Sequence, residues 1–135
     1  MKLTPYITFN GNCREAMTFY RECLGGELML STAGESEMAA QVPTEKHNQI
    51  MHSVLEKNEL IVMAADNLMS SEKLVPGTAI TLCINGGPAQ ELKIFFAKLA
   101  VGGKIAHPLE DTFFGLYGSL TDKFGIQWAV QTDEK

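Results

Sequence analysis

The chain's chemical resources are few: three histidines, three cysteines, and scattered acidic and aromatic residues. His52 is the histidine best placed to work. It stands in Ile50-Met51-His52-Ser53-Val54, an apolar run that reads as a strand. Alternation puts it on the face of Ile50 and Val54. On a pocket wall, such an imidazole is a candidate catalytic base, or a donor that orients a ligand near neutral pH. A half-buried histidine satisfied by a neighbouring strand accounts for the same residue, since one imidazole without a partner specifies no reaction. His47 lies in a polar stretch and His107 precedes Pro108, so both are expected at the surface. The spacing of His52 and His107 does not mark a metal pair. Glu110 and Asp111 are adjacent. Paired carboxylates divide acid and base roles when their environments differ, but neighbours on an extended chain point opposite ways. A turn-forming role is the expectation for them.

Six aromatics, Tyr6, Phe9, Phe113, Phe114, Tyr117 and Trp128, fall at expected strand positions in both halves of the chain. Aromatics so placed are usually core. Converging on a cleft, they would bind a flat or apolar ligand by stacking, and they are the candidate ligand-binding residues. Methionines such as Met29, Met38, Met51, Met63 and Met69 would give an adaptable lining where they face inward. The cysteines are Cys13, Cys23 and Cys83, an odd number without CxxC spacing. Cys13 and Cys23 share one expected helix on different faces, at about 100° per residue, so a local bridge is not expected. Free thiols in a reducing cytoplasm are the simplest account. Cys83 reads as a small buried hydrophobe, with nothing beside it to activate a thiolate.

These residues are positioned by a repeat. Ile7-Thr8-Phe9 is echoed by Ile80-Thr81-Leu82, 73 positions on. A turn follows each: Asn10-Gly11-Asn12, then Asn85-Gly86-Gly87. Helical stretches over about 14–24 and 89–101 end at Gly25-Gly26 and Gly102-Gly103, pairs that lie 77 apart. Further on, Ser53–Lys57 aligns with Ser119–Lys123, and Leu60–Ala64 with Ile126–Val130, at an offset of 66. Each module therefore reads as strand, helix and three strands. The strands are expected near 5–9, 27–32, 49–55 and 59–65, then near 79–84, 104–106, 114–121 and 126–131. Asn58 and Phe124-Gly125 fit tight hairpins. Segment 33–48 reads as an exposed loop. The whole reads as a single α+β domain over 1–135. It has two tandem βαβββ modules, about 1–66 and 78–135, a linker over about 67–77, and paired curved sheets around a central cleft.

Composition narrows the partners. Hydrophobic residues make up 45% and charged ones 20%, which suits a globular domain with its own core. The net charge of −5 is spread without a basic patch, so nucleic acid is not an expected partner. No apolar run approaches the roughly 18 residues of a membrane span. No charged region precedes an apolar one at the N-terminus, so no signal peptide is expected. The expected location is cytoplasmic.

The repeat leads to a resemblance. The chain resembles the vicinal-oxygen-chelate superfamily, which includes glyoxalase I, extradiol dioxygenases and bleomycin-resistance proteins, and within it the PhnB-like subfamily. Thr4-Pro5-Tyr6-Ile7-Thr8-Phe9-Asn10-Gly11-Asn12-Cys13-Arg14-Glu15-Ala16 is similar to that subfamily's opening, as are Phe19-Tyr20 and Leu24-Gly25-Gly26. Asp111–Gly115, Tyr117-Gly118-Ser119 and Thr121–Gly125 are similar to its closing motif, with Lys123 where a proline is usual. The resemblance also implies that Asp111 contacts the pocket mouth and that the protein forms a homodimer. Relatives often carry a demethylubiquinone methyltransferase label. No glycine-rich loop of the kind that cradles a nucleotide-like methyl donor follows a strand here, so methyl transfer is not expected.

Metal-dependent members of the superfamily hold a divalent ion with His, Gln or Glu on the first and last strand of each module. The resemblance carries those positions to Pro5, Met63, Ala79 and Ala129, none of which is a hard ligand. A slip of one residue substitutes Tyr6, Val62, Ala64, Ile80, Trp128 or Val130, of which only Tyr6 bears an oxygen. Neither a metal nor another cofactor is expected. The leading expectation is a metal-free small-molecule-binding protein. The alternatives are a lyase, isomerase or oxygenase using a non-standard metal site or His52, and a dimeric interaction domain.

Overall fold

The structure, a computed structural model, describes residues 1–134. The chain forms two compact units, Met1–Val75 and Pro76–Lys135. Unit one runs β1 (Tyr6–Phe9), α1 (Cys13–Leu24), β2 (Glu27–Thr32), β3 (Ile50–Lys57) and β4 (Leu60–Asp66). Unit two runs β5 (Leu82–Asn85), α2 (Ala89–Leu99), β6 (Lys104–Thr112), β7 (Gly115–Thr121) and β8 (Gln127–Thr132). The sheets have the same topology, β1-β4-β3-β2 and β5-β8-β7-β6. In each, the first strand pairs parallel with the last and the remaining pairs are antiparallel. The expected α+β architecture of two βαβββ modules is what the chain adopts.

Each helix covers one face of its own sheet. On α1, Cys13, Ala16, Met17, Tyr20 and Leu24 are buried at helical spacing, and on α2 Leu92, Phe95, Phe96 and Leu99 are. β7 alternates fully: Leu116, Gly118 and Leu120 are buried, and the residues between them are half-open. α1 stops at Gly25, whose φ of 80° suits a residue without Cβ and whose N–H donates to Arg21 O at 2.7 Å.

The structure shifts several expectations. The first strand of unit two is Leu82–Asn85, three residues later than expected at its start. Tyr6 faces Met63 in one unit, and Cys83 faces Ala129 in the other. Tyr6 and Cys83 are thus equivalent, at the same 77-residue offset as the Gly-Gly pairs. The apparent echo of Ile7 in Ile80 was a chance likeness four residues out of register. Cys83 is exposed, not buried, because its true neighbours on β5 put Leu82 and Ile84 inward. β3 and β7 also move by one residue: Ser53 pairs with Ala64, but Ser119 with Ala129. The reason is the turn. β3 and β4 are joined by two residues, Asn58 (φ 53°) and Glu59, whereas β7 and β8 are joined by five.

Segment 33–48 is not a plain surface loop. Three short 3-10 turns bury Ala33 and Val42 against Leu68 and Met51. His47 ties them down, its Nε2–H donating to Ala39 O at 2.9 Å and Val42 O at 3.0 Å. Glu110 and Asp111 lie in β6 opposite Tyr117 and Leu116, not in a turn. The turn is Phe113-Phe114, immediately before β7, so Phe114 lies just outside the strand it was expected to begin. The segment expected to be a linker is held to unit one by Asn10, whose side chain bonds Leu74 N and O at 3.1 and 3.0 Å.

Candidate functional site

The face of the unit-one sheet away from its helix carries the candidates Tyr6 and His52. In unit one, Tyr6 and Thr8 lie on this face while Ile7 and Phe9 turn towards the core. Cross-strand pairing sets Tyr6, Met63, Val54 and Met29 in one row across β1, β4, β3 and β2. Ser31 and His52 are paired in the next row. Here Tyr6 and His52 meet. The hydroxyl lies 2.9 Å from His52 Nδ1, and the rings stack at 24° with centroids 5.7 Å apart. Tyr6 is 50% exposed and His52 is half-buried. Burial, together with the nearby Cys13, raises the Tyr6 pKa. His52 keeps its expected face with Val54 but not with Ile50. A register shift between Ser31 and Thr32 turns Ile50 into the core.

Behind this face is a closed polar cluster. Asp66 is buried; its Oδ1 accepts from Gly11 N at 3.0 Å and Cys13 N at 2.9 Å, and its Oδ2 from Ile50 N at 2.8 Å. Ser53 donates to Ala64 O at 2.7 Å and lies 3.6 Å from Cys13 Sγ. Sequence reasoning missed Asp66, because nothing local marks a carboxylate at a strand end as the cap of a helix 53 residues earlier.

In unit two, rings run in a chain at the surface. His107 meets Tyr117 edge-on at 5.4 Å, Tyr117 meets Phe114 at 5.7 Å, and Phe114 meets Phe113 at 5.1 Å. Phe113 is fully exposed and Phe114 is 47% exposed. His107 Nδ1 donates to Pro108 O at 3.2 Å and lies 3.8 Å from Glu110. Of the six aromatics, Phe9 and Trp128 are core residues in this structure, at 5% and 2% exposure. The Trp128 indole N–H donates to the buried carboxylate of Asp122 at 2.8 Å. That carboxylate also closes the β7–β8 turn by accepting from Phe124 N and Ile126 N. Tyr6 is open in unit one, and Phe113, Phe114 and Tyr117 are open or half-open in unit two. An open groove of about 470 Å³ at the β3–β4 end of unit one is lined by Lys2–Pro5, Glu56, Asn58, Glu59 and Ile61, and contains none of the candidate residues.

The residues do not fit the divalent ion that the resemblance implies. The first- and last-strand positions, taken from the pairing, are Tyr6 with Met63 and Cys83 with Ala129, replacing Pro5 and Ala79. A phenol and a thioether, or a thiol and a methyl, supply no hard ligand set. Among the described residues no group of three or more His, Cys, Asp or Glu is arranged to hold a metal. No described helix is long and apolar enough to cross a membrane.

Comparison with known proteins gives one consistent answer. The family described as 3-demethylubiquinone-9 3-methyltransferase matches residues 1–131. Protein YjdN of Escherichia coli (strain K12) is 32% identical over 140 residues, covering 96% of this chain and 94% of that protein. Protein PA1353 from Pseudomonas aeruginosa has a TM-score of 0.87 at 32% identity, over 100% of this chain and 99% of its own. Two more distant structures share the fold. One is the PhnB protein from Bacillus cereus, with TM-score 0.71 and 24% identity over 98% and 99% of the two chains. The other is lactoylglutathione lyase from Agrobacterium tumefaciens, with TM-score 0.57 and 15% identity over 97% and 92%.

Proposed function

The chain belongs to the family described as 3-demethylubiquinone-9 3-methyltransferase, the PhnB-like branch of the glyoxalase superfold, and from that premise we propose that it binds a small apolar or flat molecule and does not transfer methyl groups. One observation carries the reading. On the open face of unit one, a single polar pair, Tyr6 and His52, is set beside an apolar row of Met29, Val54 and Met63. Apolar walls with a few convergent polar groups are what ligand sites are made of. Adaptable methionines suit a ligand of irregular outline.

Methyl transfer lacks support from the site where a nucleotide-like donor would sit. The turn opening α1 directs its Gly11 and Cys13 N–H groups at the protein's own Asp66 carboxylate, which leaves them no role towards a ligand. Calorimetry with S-adenosylmethionine is expected to give no binding heat.

A fragment screen on protein with ¹³C-labelled methionine methyls tests the main reading. Aromatic fragments are expected to shift Met29 and Met63, and Met63→Glu is expected to abolish the response. Fragments that shift only methionines elsewhere would place the ligand off this face.

A homodimer is the second reading, favoured by a different observation. Phe113 stands wholly in solvent beside a half-exposed Phe114, an apolar surface that the chain by itself leaves uncovered. Light scattering is expected to give twice the chain mass of 14.8 kDa. The double change Phe113→Glu with Phe114→Glu is expected to halve it while leaving a folded chain by circular dichroism.

A further inference from the structure

We infer that Tyr6 and His52 form a built hydrogen-bond donor: Tyr6 holds the imidazole in the tautomer whose proton sits on Nε2, and that N–H recognises a carbonyl-type oxygen on the ligand. The inference rests on the small-molecule reading and names the ligand class.

The direction of the bond follows from its two partners. A phenol O–H, with an ordinary pKa of about 10, is a far better donor than the N–H of a neutral imidazole. The bare nitrogen of a neutral imidazole is a better acceptor than a phenol oxygen. Across 2.9 Å the stronger arrangement is therefore Tyr6 O–H donating to His52 Nδ1. Burial and the Cys13 thiol raise the Tyr6 pKa and keep the phenol protonated. The near-parallel stacking at 24° holds both rings in this relation. With Nδ1 accepting, the neutral ring carries its proton on Nε2. Nε2 itself has no hydrogen-bond partner among the described residues.

This assignment changes the role of His52. A neutral ring held this way donates at Nε2, and a protonated ring donates there as well. In neither state does Nε2 accept a proton, so His52 is not a base towards a ligand on this face. It is a donor with a fixed direction. The surroundings describe what it meets. Ser31 is its cross-strand partner, and the neighbouring row is Tyr6, Met63, Val54 and Met29. The carboxylates on this face, Glu27 and Glu56, pair with each other further along the strands, and Cys13 lies buried behind the sheet. The matching ligand is an uncharged apolar body with one acceptor oxygen: a ketone, aldehyde or amide.

The test uses the full ¹⁵N-labelled chain and two probes that differ by that oxygen, acetophenone and ethylbenzene. Long-range ¹H–¹⁵N correlation without ligand is expected to show His52 protonated at Nε2, and Tyr6→Phe is expected to give a mixture of tautomers. Acetophenone is expected to shift the His52 Nε2 signal and to bind about five-fold more tightly than ethylbenzene, the scale of one net neutral hydrogen bond. In Tyr6→Phe the preference is expected to fall towards one. His52→Gln, which keeps an amide donor, is expected to recover part of a preference that His52→Ala loses. A proton on Nδ1 overturns the donor. Equal binding of both probes at the methionine methyls overturns it too while leaving the small-molecule reading standing. Failure of both probes to reach those methyls overturns that reading and the donor with it.

Discussion

Asp66 shows how much one side chain decides here. Its carboxylate takes three backbone N–H groups from two elements, so it joins the start of α1 to the start of β3. Its counterpart in unit two is Thr132, which donates one bond to Gly87 O at 2.7 Å. Asp66→Ala leaves three N–H groups without their partner and is expected to cost about 3 kcal/mol or more in urea unfolding. Asp66→Asn is expected to do little better, because its amide must point a donor at a donor. Thr132→Val is expected to cost about 1 kcal/mol. The thiols differ just as clearly. Burial pushes Cys13 up to about 11, with the Asp66 charge adding to the rise and the Ser53 hydrogen bond and Arg14 opposing it. At pH 8 a disulfide reagent is expected to modify the exposed Cys83 first and to reach Cys13 and Cys23 only on unfolding. The sign of the Cys13 shift also sets a pH window. The unfolded thiol releases its proton near 9 while the native one holds it to about 11, so native stability is expected to fall as pH rises through that interval.

At the scale of elements, the helices and strands of unit one were legible because their signals are local. The apolar spacing of α1 and the glycines that end it need no knowledge of the rest of the chain. Gly26 has φ 93°, and a Cβ there would lie 2.6 Å from Glu56 O and 2.8 Å from Lys57 Cβ. Gly26→Ala is therefore expected to cost about 3 kcal/mol, from left-handed strain and a backbone clash together. Gly86→Ala, at φ 80° in open space, is expected to cost only about 1 kcal/mol. The difference is read from the two unfolding midpoints. β5 was misplaced for a physical reason. Its four residues carry too few apolar positions to fix their own limits, and only pairing with β8 defines them. Likewise Glu110 looked like turn chemistry, yet β7 pairs with β6 as far as Thr112 and pushes the turn to Phe113-Phe114.

For the whole molecule, the two modules keep one topology and have diverged in what their open faces present. Unit one shows a hydroxyl–imidazole pair beside methionines, and unit two a run of exposed rings. The cross-strand positions to which the resemblance assigns metal ligands hold Tyr6, Met63, Cys83 and Ala129. Incubation with manganese, nickel, zinc and iron, then desalting and elemental analysis, is expected to show no stoichiometric metal. A full equivalent of any one would require a ligand set other than these four.

By itself, the sequence determined the duplicated α+β architecture and where both helices begin, because periodicity, turn residues and a two-fold repeat are properties of the chain order, and its opening and closing motifs carried the resemblance to the family. It also brought forward His52 and Tyr6, though as separate candidates. Only the tertiary structure decided that they bond, that Phe9 and Trp128 belong to the core, and that Asp66 and Asp122 are structural carboxylates. Those outcomes turn on strand register. A shift of one residue exchanges the buried face for the open one, and the register is set by turn lengths and by partners dozens of residues away.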